Sequence, residues 1–145
     1  GSCGTLELRR VYALKDGALV IDSRVTNRGD TARGFRWDGC FQWQTDDWES
    51  FEIPAAAGSE RLVPATLEDT FAKARVVAVA PGGGTWRLDL PGFRITNTFD
   101  AGIGEAVVGV NRRKGILAVN LRSGMLTVAP GEAFATRQVV RVARA

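Results

Sequence analysis

Asp46, Asp47, Glu49 and Glu52 crowd the stretch around Trp48, the densest run of carboxylates in the chain. Two carboxylates held about 5–9.5 Å apart across a cleft can hydrolyse a glycosidic bond, and hard carboxylate oxygens can ligate calcium. The spacing matches neither an EF-hand loop nor a fixed catalytic pattern, and a solvated acidic turn accounts for the same residues. The chain has no histidine, which excludes Ser-His-Asp triads, Cys-His dyads and most zinc sites together. Cys3 and Cys40 lie too far apart in sequence for a metal-ligand pair. Gly82-Gly83-Gly84 is followed neither by Lys-Ser/Thr nor by a helix start, so it reads as a turn and not as a phosphate cradle. No metal, cofactor or catalytic residue is expected.

The aromatic stretch that precedes the acidic turn is more informative. Phe35, Trp37, Phe41 and Trp43 share one strand parity, and Arg36, Asp38, Cys40, Gln42 and Gln44 share the other. The rings either fill a core layer or form a platform on which a sugar stacks. Parity separates the two readings: a Trp37–Trp43 platform would face away from Arg36 and Gln42 unless a bulge at Gly39 switched the face. With the rings inside, the polar face is exposed and becomes the candidate ligand-binding surface. It comprises Arg36, Asp38, Gln42 and Gln44, with Asp46 from the turn, Arg122 from another strand, and Trp48 as the stacking residue. Asn111, Arg112, Asn120 and Arg122 could converge on an anionic sugar from adjacent strands, although ordinary polarity of an exposed sheet face explains them equally.

Charge excludes one class of partner. Of the 19 basic residues only Lys15, Lys73 and Lys114 are lysines, and the arginines are scattered, leaving a net charge of +3. A nucleic-acid binder gathers such charge on one face or in one run. Arg112-Arg113-Lys114 is the single basic cluster, and before Gly115 it reads as a hairpin turn. No apolar run is long enough to cross a bilayer as a helix.

Behind these residues stands a period-two pattern broken by turn residues. Leu6, Leu8, Tyr12 and Leu14 form one apolar face, Lys15-Asp16-Gly17 a turn, and Leu19, Ile21 and Val25 the returning strand. Residues 74–80, rich in Val and Ala, read as a strand buried on both faces. Trp86–Leu90, Phe93–Phe99, Ala106–Val110, Ile116–Arg122, Met125–Ala129 and Phe134–Val142 come next, separated by turns. Residues 55–73 read as a loop with a short strand, or as a helical turn around 65–69. The expectation is an all-β antiparallel sandwich of about 10–12 short strands, with residues 1–145 as a single domain.

Two stretches carry a family resemblance. Leu19–Ala32, with Val25-Thr26-Asn27 and Gly29-Asp30, resembles a pattern of galactose-mutarotase-like supersandwich domains and related glycosidase β-domains; Leu126–Glu132, with Pro130-Gly131-Glu132 before a last strand, is similar to their ending. The resemblance implies a supersandwich-like fold, a carbohydrate ligand and a half-size relative. It does not extend to aldose-epimerase chemistry, which uses histidine acids and a glutamate base. Where the family's glutamate strand would fall, this chain has Asn120, and the nearest upstream carboxylate is Glu105. The implied function is non-catalytic sugar binding or an accessory role. The alternatives are a structural or protein-interaction sandwich of the cell envelope, or an enzyme that works with carboxylates alone. Gly1-Ser2 resembles a protease-cleavage remnant, and Cys3-Gly4 the start of a mature bacterial lipoprotein, which suggests an extracytoplasmic setting. A Cys3–Cys40 disulfide and two free thiols both stay open.

Overall fold

The computed structural model describes residues 2–45 and 47–145, with the backbone alone for Ser2 and Cys3. Fourteen strands run in chain order: β1 Ser2–Cys3, β2 Leu6–Lys15, β3 Ala18–Asn27, β4 Arg33–Phe35, β5 Asp38–Gln44, β6 Ser50–Ala55, β7 Gly58–Leu62, β8 Arg75–Ala78, β9 Gly83–Leu90, β10 Phe93–Asp100, β11 Ile103–Asn111, β12 Ile116–Ser123, β13 Leu126–Val128 and β14 Ala133–Arg144. An eight-stranded sheet in the order β1-β2-β3-β14-β10-β9-β6-β7 faces a four-stranded sheet, β5-β12-β11-β8, and β13-β4 form a small ribbon. All these pairings are antiparallel. The fold is an all-β sandwich, as the alternation requires. Among the described residues no helix is long and apolar enough to cross a membrane.

The β2–β3 turn shows how sequence becomes shape. Asp16 and Gly17 take φ of 50° and 70°, the left-handed pair that matches the twist of a two-residue hairpin. Inside the sandwich, Phe51, Ile53, Trp86 and Leu88 of the large sheet meet Val108, Leu117, Val119 and Leu121 of the small one. Phe41 and Trp43 set their rings edge-on to Trp86 at 5.8 and 5.6 Å, a preferred geometry for aromatic pairs. The aromatic face of β5 is therefore core. Its register with β12 is unbroken from Asp38 to Gln44, so no bulge at Gly39 switches the face. Gly39 has another use: a Cβ there would lie 2.3 Å from the Trp37 indole, and the missing side chain is where that ring rests.

Burial departs from the sequence pattern in two places. Tyr12 pairs with the buried Ile21, so the even-numbered side chains of β2 point to the core side. Even so, Tyr12 is 60% and Leu14 86% exposed, because four strands cannot cover eight. Residues 75–78 are not buried on both faces: Val77 is buried, while Val76, paired with Val107, lies on the outer face of the small sheet and is exposed. Residues 55–73 hold a strand, β7, and two single 3-10 turns, Pro64–Thr66 and Phe71–Lys73.

The end of β3 is tied to the β13–β14 connection by one side chain. Asn27, fully buried, donates from Nδ2 to the carbonyls of Thr31 (2.7 Å) and Val128 (3.0 Å), and its Oδ1 accepts from Gly29 N–H (2.9 Å). Its backbone N–H donates to Glu132 O, and its carbonyl accepts from Gly131 N–H. The carboxamide thus holds together the two segments that carry the family resemblance. Removing it strands two carbonyls and an amide, each costing about 1–3 kcal/mol when buried without a partner. Asn27→Ala is expected to lower unfolding stability in urea by about 2–4 kcal/mol. Asn27→Asp, which turns a carboxylate towards two carbonyls, is expected to lower it further.

Candidate functional site

The outer face of the small sheet gathers polar side chains in rows set by register. Asp38 of β5, Arg122 of β12 and Glu105 of β11 lie abreast, and the next row is Cys40, Asn120 and Val107. A third row, Gln42, Ala118 and Gly109, completes a patch whose middle consists of small residues. Arg122 Nε donates to Asp38 Oδ2 at 3.1 Å, while Arg122 Nη1 stands 3.9 Å and Arg36 Nη1 3.8 Å from Glu105 Oε1. These half-exposed charges hold Arg122 at the rim; in water such pairs contribute little stability.

Above the small residues lies a cavity of about 320 Å³ lined by Cys40, Gln42, Phe71, Asn120 and Arg122, with Val107, Gly109 and Ala118 as its floor. Phe71 comes from the 3-10 turn over Gly109, where a Cβ would meet the ring at 2.7 Å. Arg112 braces the chain leading to that turn: its guanidinium donates to Pro64 O at 2.7 Å and Leu67 O at 3.2 Å, and its backbone N–H donates to Asp69. Thr70 caps the turn by accepting from Ala72 N–H. In the floor, Asn120 Oδ1 is buried with no hydrogen-bond partner among the described residues. Such an acceptor is costly unless something donates to it. Partial burial pushes the Cys40 thiol up, and the negative charge of Asp38 adds to the shift. The group stays a protonated thiol at neutral pH, which suits it poorly to nucleophilic attack.

The polar face predicted from parity is thus exposed, and the structure brings Gln42 and Arg122 into the cavity; Asp38 pairs with Arg122 and Arg36 with Glu105, outside its lining. Gln44 stands further along β5, beside Asp47 and the Arg112–Lys114 turn, in an open depression. Trp48 does not offer the exposed indole expected of a stacking residue: it is 6% exposed, belongs to the core, and borders a separate cleft of about 160 Å³ with Pro64 and Ile116. Asp46 lies outside the described residues. Asn111 and Arg112 do not converge with Asn120 and Arg122, since Asn111 accepts from Lys114 N–H and Arg112 braces the 64–71 segment. Nor do Asp47, Glu49 and Glu52 form a metal-binding group among the described residues. Glu52 is engaged by Ser59 and Arg87, and no group of three or more potential metal ligands occurs among the described residues. Phe71 was missed because it sits in the segment with the weakest periodicity. The Thr70 cap and the facing Gly109 were the signals that could have found it.

The paired antiparallel sheets with their braced outer face have the galactose-mutarotase-like fold. The Slr1438 protein from Synechocystis sp. PCC 6803 superposes with a TM-score of 0.77 at 16% identity, over 97% of this chain and 55% of that one. A galactose mutarotase-like protein from Lactobacillus casei ATCC 334 gives 0.68 at 16% identity, over 95% and 63%. A galactose mutarotase related enzyme from Lactobacillus acidophilus gives 0.65 at 16% identity, over 95% and 61%. At these identities the likeness is one of fold, and this chain spans 55–63% of the length of these three. No protein-family model and no curated protein sequence matches the chain.

The thiol reports on the electrostatics of the site. In a Cys3→Ser background, Asp38→Asn is expected to lower the Cys40 pKa and speed alkylation by iodoacetamide several-fold between pH 7 and 9. An unchanged rate–pH profile would mean that Asp38 does not act on the thiol.

Proposed function

We propose that the outer face of the small sheet binds a carbohydrate without transforming it. The observation that carries this reading is a cavity lined by Asn120, Gln42, Arg122 and Phe71, in which Asn120 keeps a buried Oδ1 without a partner among the described residues. A pyranose matches that inventory. A hydroxyl donates to Asn120, its neighbour accepts from the Arg122 guanidinium, and the carboxamide of Gln42 serves either role. The C–H face of the sugar rests against Phe71, as mostly apolar sites with a few placed polar groups hold their ligands. Likeness in fold to galactose mutarotase-like proteins supports the sugar-related setting.

The groups at hand support a reading of binding without turnover. There is no histidine in the chain, Asp38 and Glu105 both engage Arg122, and Cys40 is held as a thiol. None of these is placed to shuttle a proton at a sugar carbon. The tryptophans near the sheet interface are buried or half-buried, so calorimetry is a better probe than indole emission. Titration with a panel of neutral hexopyranoses and hexuronates is expected to show binding to at least one member. Asn120→Ala and Phe71→Ala should each weaken it about tenfold, equivalent to about 1.4 kcal/mol, while Arg24→Ala on the large sheet leaves it unchanged. No heat with any sugar, or binding indifferent to both cavity substitutions, would refute the assignment.

A further inference from the structure

We propose that the site takes the end of a neutral glycan chain, with the terminal sugar in the cavity over Asn120 and the following units laid along β5 towards the β11–β12 turn. This rests on the carbohydrate reading of the cavity and extends it to the length and charge of the ligand. The outer face of the small sheet is closed at one end and open at the other. At the closed end Asp38, Arg122, Glu105 and Arg36 form linked ion pairs across three strands. At the open end no ion pair crosses the face among the described residues. Beyond Gln42 and Ala118 the face continues to Gln44 and Ile116 in unbroken register. Gln44 there lines an open depression of about 610 Å³ with Thr45, Asp47, Arg113 and Lys114. From Asn120 to Ile116 the strand advances about 13 Å, at about 3.3 Å per residue, further than one pyranose ring reaches.

The side chains along this path set the chemistry of what continues. Gln42 and Gln44 share one face of β5, about 6.6 Å apart along the strand, one for the sugar in the cavity and one for its neighbour. A carboxamide both donates and accepts, as a hydroxyl does. In the depression Arg113 and Lys114 offer donors and Asp47 an acceptor. The side chains of Gln44, Asp47, Arg113 and Lys114 make no hydrogen bond or ion pair among the described residues. Arg112 shares the depression but turns its guanidinium to the Pro64 and Leu67 carbonyls, and the Asp69 carboxylate lies against its backbone N–H. With the cations offset by Asp47 and Asp69, the surface suits a hydroxyl-rich neutral chain better than a polyanion. Hydrogen bonds exchanged with water contribute modestly, so each added unit is expected to gain only a few-fold in affinity.

Calorimetric titration with glucose, galactose and mannose, and with the linear dimers, trimers and tetramers of each in α and β linkage, tests this. In at least one series affinity should rise about tenfold from monosaccharide to trimer, equivalent to about 1.4 kcal/mol, and level off at the tetramer. Gln44→Ala with Arg113→Ala should return the trimer to the affinity of the monosaccharide, whereas Asn120→Ala weakens both. A soluble polymer of the same unit should bind one protein per chain. A monosaccharide that binds through Asn120 with no gain on lengthening would overturn the proposal while the reading of the cavity stands. So would a gain that the Gln44 and Arg113 substitutions leave intact. A stoichiometry that grows with polymer length would put internal units in the cavity and overturn the chain-end assignment. No binding by any member would overturn both readings.

Discussion

A single buried carboxamide closes the sandwich. Asn27 ends β3, the strand beside β14 in the large sheet, and its side chain satisfies the carbonyl of Val128 in β13. β13 pairs with β4, which leads directly into β5 of the small sheet. The crossing between the two layers is thus pinned where the chain leaves the large sheet and again where it returns through Pro130-Gly131-Glu132. A buried amide with every group satisfied fixes one arrangement, because any slip leaves polar atoms unpaired in a dry interior. The same crossing sets where β5 begins, and hence which of its faces looks outward.

The unequal size of the two sheets shapes both exposed surfaces. The small sheet covers the large one as far as β6 and β7 on one side but leaves β2 uncovered on the other, so the core-side residues of β2 remain in contact with water although their pattern is that of a core strand. The reverse face of the small sheet has a different character, with charges at its rim, small residues at its centre, and one aromatic ring brought in from a loop. Each surface has its own chemistry, apolar at Tyr12 and Leu14 of β2 and polar around Asn120.

Most of the layered architecture was legible in the sequence because alternation reports directly on which side of a strand is dry. Asp16-Gly17 announced its hairpin, and the parity of Phe41 and Trp43 placed them inside and Gln42 outside. The limits of that reasoning are equally physical. Period two says which way Tyr12 and Leu14 point but not whether anything lies above them, since coverage depends on the number of strands in the other sheet. Alternation sets Trp48 with Ser50 and Glu52, on the polar side, whereas the structure places it in the core, 6% exposed. Phe71 gave no periodic signal at all; its position comes from a capped 3-10 turn and from the room that Gly109 leaves. The resemblance carried by Asn27 and by Pro130-Gly131-Glu132 lay in turn chemistry, and its meaning became clear once both turns were found sharing hydrogen bonds.

The central claim is that the orphan acceptor on the outer face of the small sheet is completed by a sugar hydroxyl. A crystal structure of the chain grown with the tightest-binding monosaccharide tests it most directly. The account predicts a pyranose over Ala118 and Val107, with one hydroxyl within hydrogen-bond distance of Asn120 Oδ1 and a ring face against Phe71. A sugar bound on the large sheet, or an Asn120 carboxamide rotated onto a protein donor in an empty cavity, would contradict it.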